Sequence, residues 1–261
     1  MKLFLHIFTI LFVLSAQVYV SYRIWHLLPT SHLWKNIATI LYNFSIVSLI
    51  IFFAGAFGSG KFINFAISKV FYEIGTSAIF VLLFLFITFL AIDLLRLVRV
   101  LPHNFVQDSL VGTIGVTALM LVLFVGGNVH YYNKKRTTLE LTTTKKLKKP
   151  VKMVMMSDLH LGYHNERSEF AKWVDTINKE NPDFVLIAGD LVDCFVAPLL
   201  EQNVAEEFHR IKAPVYACMG NHEYIGGANN AYNFFKLAGI NILQDSTAVL
   251  EEYGIAIAGR D

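Results

Sequence analysis

Cysteine is almost missing from this chain: among 261 residues only Cys194 and Cys218 occur, and no C-x-x-C pair is present. Neither a disulfide-stapled scaffold nor a thiolate zinc site is specified, and two buried or half-buried free thiols are expected instead. That usage leans towards a reducing compartment. Acidic residues are scarce between Lys134 and Lys152, where eight Lys/Arg stand against one acid. From Met153 to Asp261 the balance inverts to seven basic and sixteen acidic residues, so the formal net charge of +2 hides a basic connector and an acidic second half. No small-x-small cleavage site leads from the first apolar run into a soluble domain, so that run reads as a retained span, not a signal peptide. No internal repeat and no Gly/Pro-broken pair of apolar segments is present, which disfavours a transporter built on inverted repeats.

What the first half does have is long apolar runs. Four segments, Leu3–Trp25, Ile37–Phe57, Ile74–Val98 and Leu110–Tyr131, supply most of the 55% hydrophobic content. Each reaches the roughly 20 residues that cross a hydrocarbon core of about 30 Å as a helix. Trp25, Trp34, Tyr72, Tyr131 and Tyr132 lie near the segment ends, where amphipathic rings favour the interface. Four spans put both ends of this half on one side. Lys2, Lys61, Lys69 and Lys134–Arg136 fall there, against Arg23, Lys35, Arg96 and Arg99 on the other. The bias predicts a multi-pass cell-membrane protein with its second half cytoplasmic. Asn43 and Asp93 fall inside spans, where polar residues often mark transport pathways. Asp93 stands three residues before Arg96, however, and local pairing near the interface accounts for it.

Three regions follow: a transmembrane region over 1–133 (helices about 3–25, 37–57, 74–98 and 110–131), a basic stalk over 134–150, and a globular domain over 151–261. Within the stalk, Thr137–Thr144 alternates enough for an edge strand, but the charge and Pro150 mark a boundary. Its cations suit contact with anionic headgroups, at roughly 1 kcal/mol each near the surface. A positive-inside signal explains them equally well. Aromatic residues do not interleave with the charges, so nucleic acid is not an expected partner.

Beyond Pro150 short apolar runs alternate with amphipathic helices. Val151–Met156, Phe184–Ala188 and Val215–Met219 read as buried strands. Phe170, Trp173, Val174 and Ile177 recur at helical spacing within Arg167–Glu180. Leu200, Val204, Phe208 and Ile211 mark another helix face, Asn229–Ala238 reads as a helix stopped by Gly239, and Asn241–Leu243 and Ile255–Ala258 as further strands. The alternation predicts an α/β fold with a mostly parallel sheet.

Sites in such sheets form beyond the carboxyl ends of the strands. Asp158 and His160 follow the first strand, and in extended chain positions i and i+2 face one way. A hard oxygen and a borderline nitrogen aimed at one point suit a divalent transition metal. Asp190 follows the second strand, and Asn221 and His222 the third. Each taken singly could be a turn former; three such loops at one sheet edge are harder to obtain by chance. His164 and His209 read as ordinary loop and helix-surface residues, and His6, His26, His32, His103 and His130 show no metal spacing.

The stretches Ser157-Asp158-Leu-His160-Leu-Gly162, Gly189-Asp190-Leu-Val-Asp193 and Gly220-Asn221-His222-Glu223 resemble the D-x-H, G-D and G-N-H-[D/E] blocks of the calcineurin-like metallophosphoesterase superfamily, in order. The resemblance covers about residues 151–261 and implies a two-sheet sandwich. It also implies two divalent metal ions (Mn, Fe, Zn or Mg), with Asp158 and His160 on the first, Asp190 bridging, and Asn221 on the second. His222 would contact the phosphate or protonate the leaving group, Glu223 would orient His222, and Asp193 would cap a loop or support a ligand from behind. The expected protein is a membrane-anchored phosphoesterase acting on phosphomonoester, phosphodiester or pyrophosphate bonds, lipid-linked substrates included, with the bilayer as a partner and no protein partner specified. The alternatives are a non-catalytic membrane sensor or scaffold that keeps a degenerate domain, and a four-helix transporter with an accessory domain. The superfamily's later blocks carry further histidine ligands ending in G-H-x-H, and no histidine follows His222 here. The expectation is therefore a truncated chain, with weak metal binding and little turnover by residues 1–261 alone.

Overall fold

The structure, a computed structural model, describes residues 2–56 and 64–260. Phe57, which ends the expected second span, and Lys61 of the charge count lie outside them. Two compact units are present: residues 1–51 with 74–139, and residues 52–73 with 140–261.

The first unit is helical. Its helices belong to α1 (Lys2–Leu27), α2 (His32–Ala56), α3 (Phe65–Leu97) and α4 (Leu110–Tyr132), with one 3-10 turn at His103–Val106 before α4. All four α-helices are long and apolar enough to cross a membrane. Most of their large apolar side chains are exposed, which suits contact with lipid. A smaller set packs inward, including Val20, Leu82, Leu85, Phe89 and Val116. Several polar side chains inside the bundle pair with one another. Gln17 donates to Asn43 Oδ1 at 2.9 Å, and Tyr42 donates to Gln17 Oε1 at 3.0 Å. Arg23 and Arg96, which fall near the ends of the first and third expected spans, lie within α1 and α3, and both pair with Asp93. Local pairing of Asp93 with Arg96 is present, and Arg23 and Tyr19 from another helix join it.

In the second unit a four-stranded, fully parallel sheet runs in the order β1 (Met153–Met156), β2 (Phe184–Ala188), β3 (Val215–Cys218), β4 (Asn241–Ile242). The crossovers carry α5 (Arg167–Glu180), α6 (Ala197–Glu201), α7 (Ala205–His209), α8 (Asn221–Gly226) and α9 (Ala228–Leu237). Phe170, Val174 and Ile177 of α5 are buried, as the periodicity requires, and Asn181 at φ 48° ends that helix in the left-handed conformation. Val185, Ile187, Phe208, Val215 and Phe234 join them in one core; each such burial contributes roughly 1.5–3 kcal/mol.

The structure differs from the sequence reading at three places. The single helix read from Leu200 to Ile211 is two short helices, because Asn203 at φ 53° takes a left-handed turn between them. Thr137–Thr144 forms no strand: the segment is exposed along its length with no neighbouring strand to pair its backbone. A strand the sequence did not signal, β5 (Ser246–Leu250), pairs antiparallel with β6 (Ile255–Gly259) in a second small sheet.

Candidate metal centre

The loops leaving β1 and β2 are joined backbone to backbone. The N–H groups of Asp158, His160 and Leu161 donate to the carbonyls of Gly189, Asp190 and Leu191 at 3.3, 3.0 and 2.8 Å. Asp193 N–H returns to Leu161 O at 3.0 Å. Buried Asn165 pins the first loop by donating to Leu159 O at 2.9 Å. To make these turns Asp158, His160 and Asp190 all adopt positive φ, at 54°, 43° and 50°. Residues with a β-carbon rarely do so, and such conformations gather at functional loops. Gly189 at φ 80° has the same turn without the steric conflict.

The third loop is tied to the second by Glu223. Its side chain is fully buried, and its carboxylate accepts the N–H groups of Gly220 at 2.7 Å, Val192 at 2.8 Å and Asp190 at 3.1 Å. Three donors offset the cost of burying the carboxylate. The expectation that Glu223 orients His222 is corrected. Near the start of α8 its side chain turns back over the helix opening, as a third-position glutamate does, and meets loop backbone instead. Gly220 is required by close approach: a β-carbon there would lie 2.2 Å from Asp190 Oδ1.

His160, Asp190 and His222 are drawn together, with one potential ligand atom of each within 4.8 Å of the others. The His160 and His222 rings lie 4.4 Å apart at 76°. Asp190 Oδ1 accepts the N–H of His222 at 3.0 Å. Asp158, two-thirds exposed, lies at the rim with Oδ1 3.9 Å from His160 Nε2, and Asn221 is exposed at the head of α8. A second group, Asp193, Cys194 and His222, adjoins the first. His222 Nδ1 bears on the carbonyl of Asp193. A carbonyl only accepts, so Nδ1 carries the proton in that contact and Nε2 is left for other chemistry. Burial, and then the Asp193 carboxylate, pushes the Cys194 thiol up, which keeps it neutral. Both cysteines are free.

Tyr72, expected to be an interfacial aromatic, reaches this site as well. Its hydroxyl donates to Asp193 Oδ2 at 2.6 Å, and its ring packs with Phe52 and Tyr163. Tyr72 and Asp193 are separated by 121 positions, and no spacing rule links them.

The donor set fits a divalent cation. The buried Nδ1 of His160 has no hydrogen-bond partner, and mixed imidazole and carboxylate ligation suits Mn, Fe or Zn. A parallel sheet whose carboxyl-end loops gather two imidazoles and a carboxylate is an α/β domain with a site suited to a metal ion at the usual sheet edge. Residues 151–257 match the family described as calcineurin-like phosphoesterase, and this part of the chain is a calcineurin-like metallophosphoesterase domain. An uncharacterized metallophosphoesterase of Aquifex aeolicus is 31% identical over 55% of this chain and 54% of its own length. One of Campylobacter jejuni is 34% identical over 34% of this chain and 24% of its own. A transmembrane protein with metallophosphoesterase domain from Danio rerio is 33% identical over 42% of this chain and 27% of its own. The chain thus spans between about a quarter and about half the length of these relatives.

Proposed function

We propose that this is a membrane-anchored, metal-dependent phosphoesterase that cleaves phosphomonoester, phosphodiester or pyrophosphate bonds, lipid-linked substrates included, on the cytoplasmic side. The observation that carries the reading is the convergence of His160, Asp190 and His222 at the carboxyl ends of β1, β2 and β3. The four apolar helices and the transmembrane relative support the anchor.

Asp158, His160, Asp190 and Asn221 would hold two divalent ions, which when bound polarise phosphoryl oxygens and lower the pKa of an attacking water. The chain's own groups do the positioning. Glu223 holds the loops of Asp190 and Gly220 through their N–H groups. The N–H of His222 occupies one lone pair of Asp190 Oδ1 and so directs the remaining ones away from the backbone. His222, its Nδ1 proton held by Asp193 O, presents Nε2 to the phosphate or to the leaving oxygen; in the imidazolium form, with a second proton on Nε2, it acts there as hydrogen-bond donor or general acid.

The test is a panel of phosphomonoesters, phosphodiesters and lipid pyrophosphates, offered with Mn, Fe, Zn or Mg to the native polypeptide carrying this sequence in lipid nanodiscs. Hydrolysis of one class, lost on chelation and in Asp190→Ala, is expected. No metal-dependent turnover on any class would overturn the reading.

A further inference from the structure

Tyr72 lies near the start of α3 and is 4% exposed, set among Phe52, Phe65, Phe71, Tyr163 and Phe195. The ring contacts account for its packing: Tyr72 to Phe52 is 5.1 Å and Tyr72 to Tyr163 is 5.3 Å between centroids. They do not account for where its hydroxyl goes. The hydroxyl donates at 2.6 Å to Oδ2 of Asp193, a side chain only 14% exposed. The other oxygen of that carboxylate, Oδ1, is 3.8 Å from His160 Nδ1 and 3.8 Å from His222 Nδ1. Asp193 therefore offers one oxygen to the tyrosine and faces the two imidazoles of the site with the other.

We propose that Tyr72 is a positioning residue for the metal centre, acting through Asp193 on the orientation of His160 and His222. The inference rests on the metallophosphoesterase reading above and adds a residue from outside the matched domain. A carboxylate free to turn about its last torsion would move Oδ1 away from both rings; the short bond to a hydroxyl fixed by surrounding rings removes that freedom. A packing role alone predicts something different. A buried tyrosine hydroxyl needs some acceptor, and any nearby one would serve. If that were all, deleting the hydroxyl would cost stability and leave the histidines unmoved.

The experiment is a double-mutant cycle in the full chain in nanodiscs, with Tyr72→Phe, Asp193→Asn and the pair, read first by Mn2+ affinity from electron paramagnetic resonance. Phenylalanine keeps every ring contact, so the variant retains the fold. Loss of a group that orients a metal-ligating histidine costs about tenfold in affinity or more. A loss of that size is expected in Tyr72→Phe and in Asp193→Asn, with the pair no worse than Asp193→Asn alone. In single turnovers with a cleaved substrate, kcat should fall with KM unchanged. Unchanged Mn2+ affinity in Tyr72→Phe, or losses that add in the pair, would overturn the proposal. Because Mn2+ binding needs no turnover, an inactive protein that still shows the coupled losses would sink the phosphoesterase reading and leave the role of Tyr72 standing.

Discussion

Glu223 Oε1 accepts the N–H of Val192 at 2.8 Å while Oε2 accepts that of Gly220 at 2.7 Å, so one fully buried carboxylate joins the loops after β2 and β3. Glu223→Gln replaces one acceptor oxygen with an amide that faces N–H donors. The expected cost is about 2–4 kcal/mol, from buried donors left without an acceptor. Unfolding of the second unit followed by Trp173 fluorescence measures it, and an unchanged midpoint would mean the carboxylate is not needed there.

Gly220→Ala places a β-carbon 2.2 Å from Asp190 Oδ1 and 2.5 Å from its nitrogen. The nitrogen is backbone, so turning the Asp190 side chain away is not enough and its loop must shift. A stability loss of about 1–3 kcal/mol is expected, with a fall in Mn2+ affinity larger than that loss explains. Calorimetric metal titration of the variant checks it.

Glu207, with a side chain 7% exposed, is bound by Arg167 at 2.8 Å and by Arg210. Burial alone would raise its pKa, but hydrogen bonds from Arg210 and Arg167 outweigh that and hold the carboxyl below its ordinary value. A depressed folded-state pKa stabilises fully above the unfolded value, near about 4.3, and the benefit is lost as pH falls through the folded value. The gap in melting temperature between the wild type and Glu207→Gln should be widest near neutral pH. It should close in acid, from about pH 4 downwards. A gap independent of pH would show that the pair contributes nothing through its charge.

The pattern of a strand followed by a polar loop was legible because buried parallel strands are short apolar runs and their carboxyl-end loops are abrupt polar breaks. The positions of Asp158, His160, Asp190 and His222 in the chain follow from that alone. What Glu223 bonds was not legible: its acceptors serve N–H groups at 190, 192 and 220, and backbone donors leave no trace in residue type. Leu200, Val204, Phe208 and Ile211 kept helical spacing through a break at Asn203, because both short helices pack the same way onto the core. Tyr72 was hidden by its setting, since an aromatic near the end of an apolar segment has an interfacial explanation ready.

The positive φ angles of Asp158, His160 and Asp190 carry one more consequence. A residue with a β-carbon held in that region costs roughly 1–2 kcal/mol relative to a relaxed one, less for aspartate than for bulkier side chains. Glycine at Asp158 or His160 would relieve that cost and should raise the melting temperature while removing a side chain of the centre; at Asp190 it would also strip the His222 N–H of its acceptor. Durability and chemistry pull in opposite directions there, and selection for heat resistance alone would erase these side chains early.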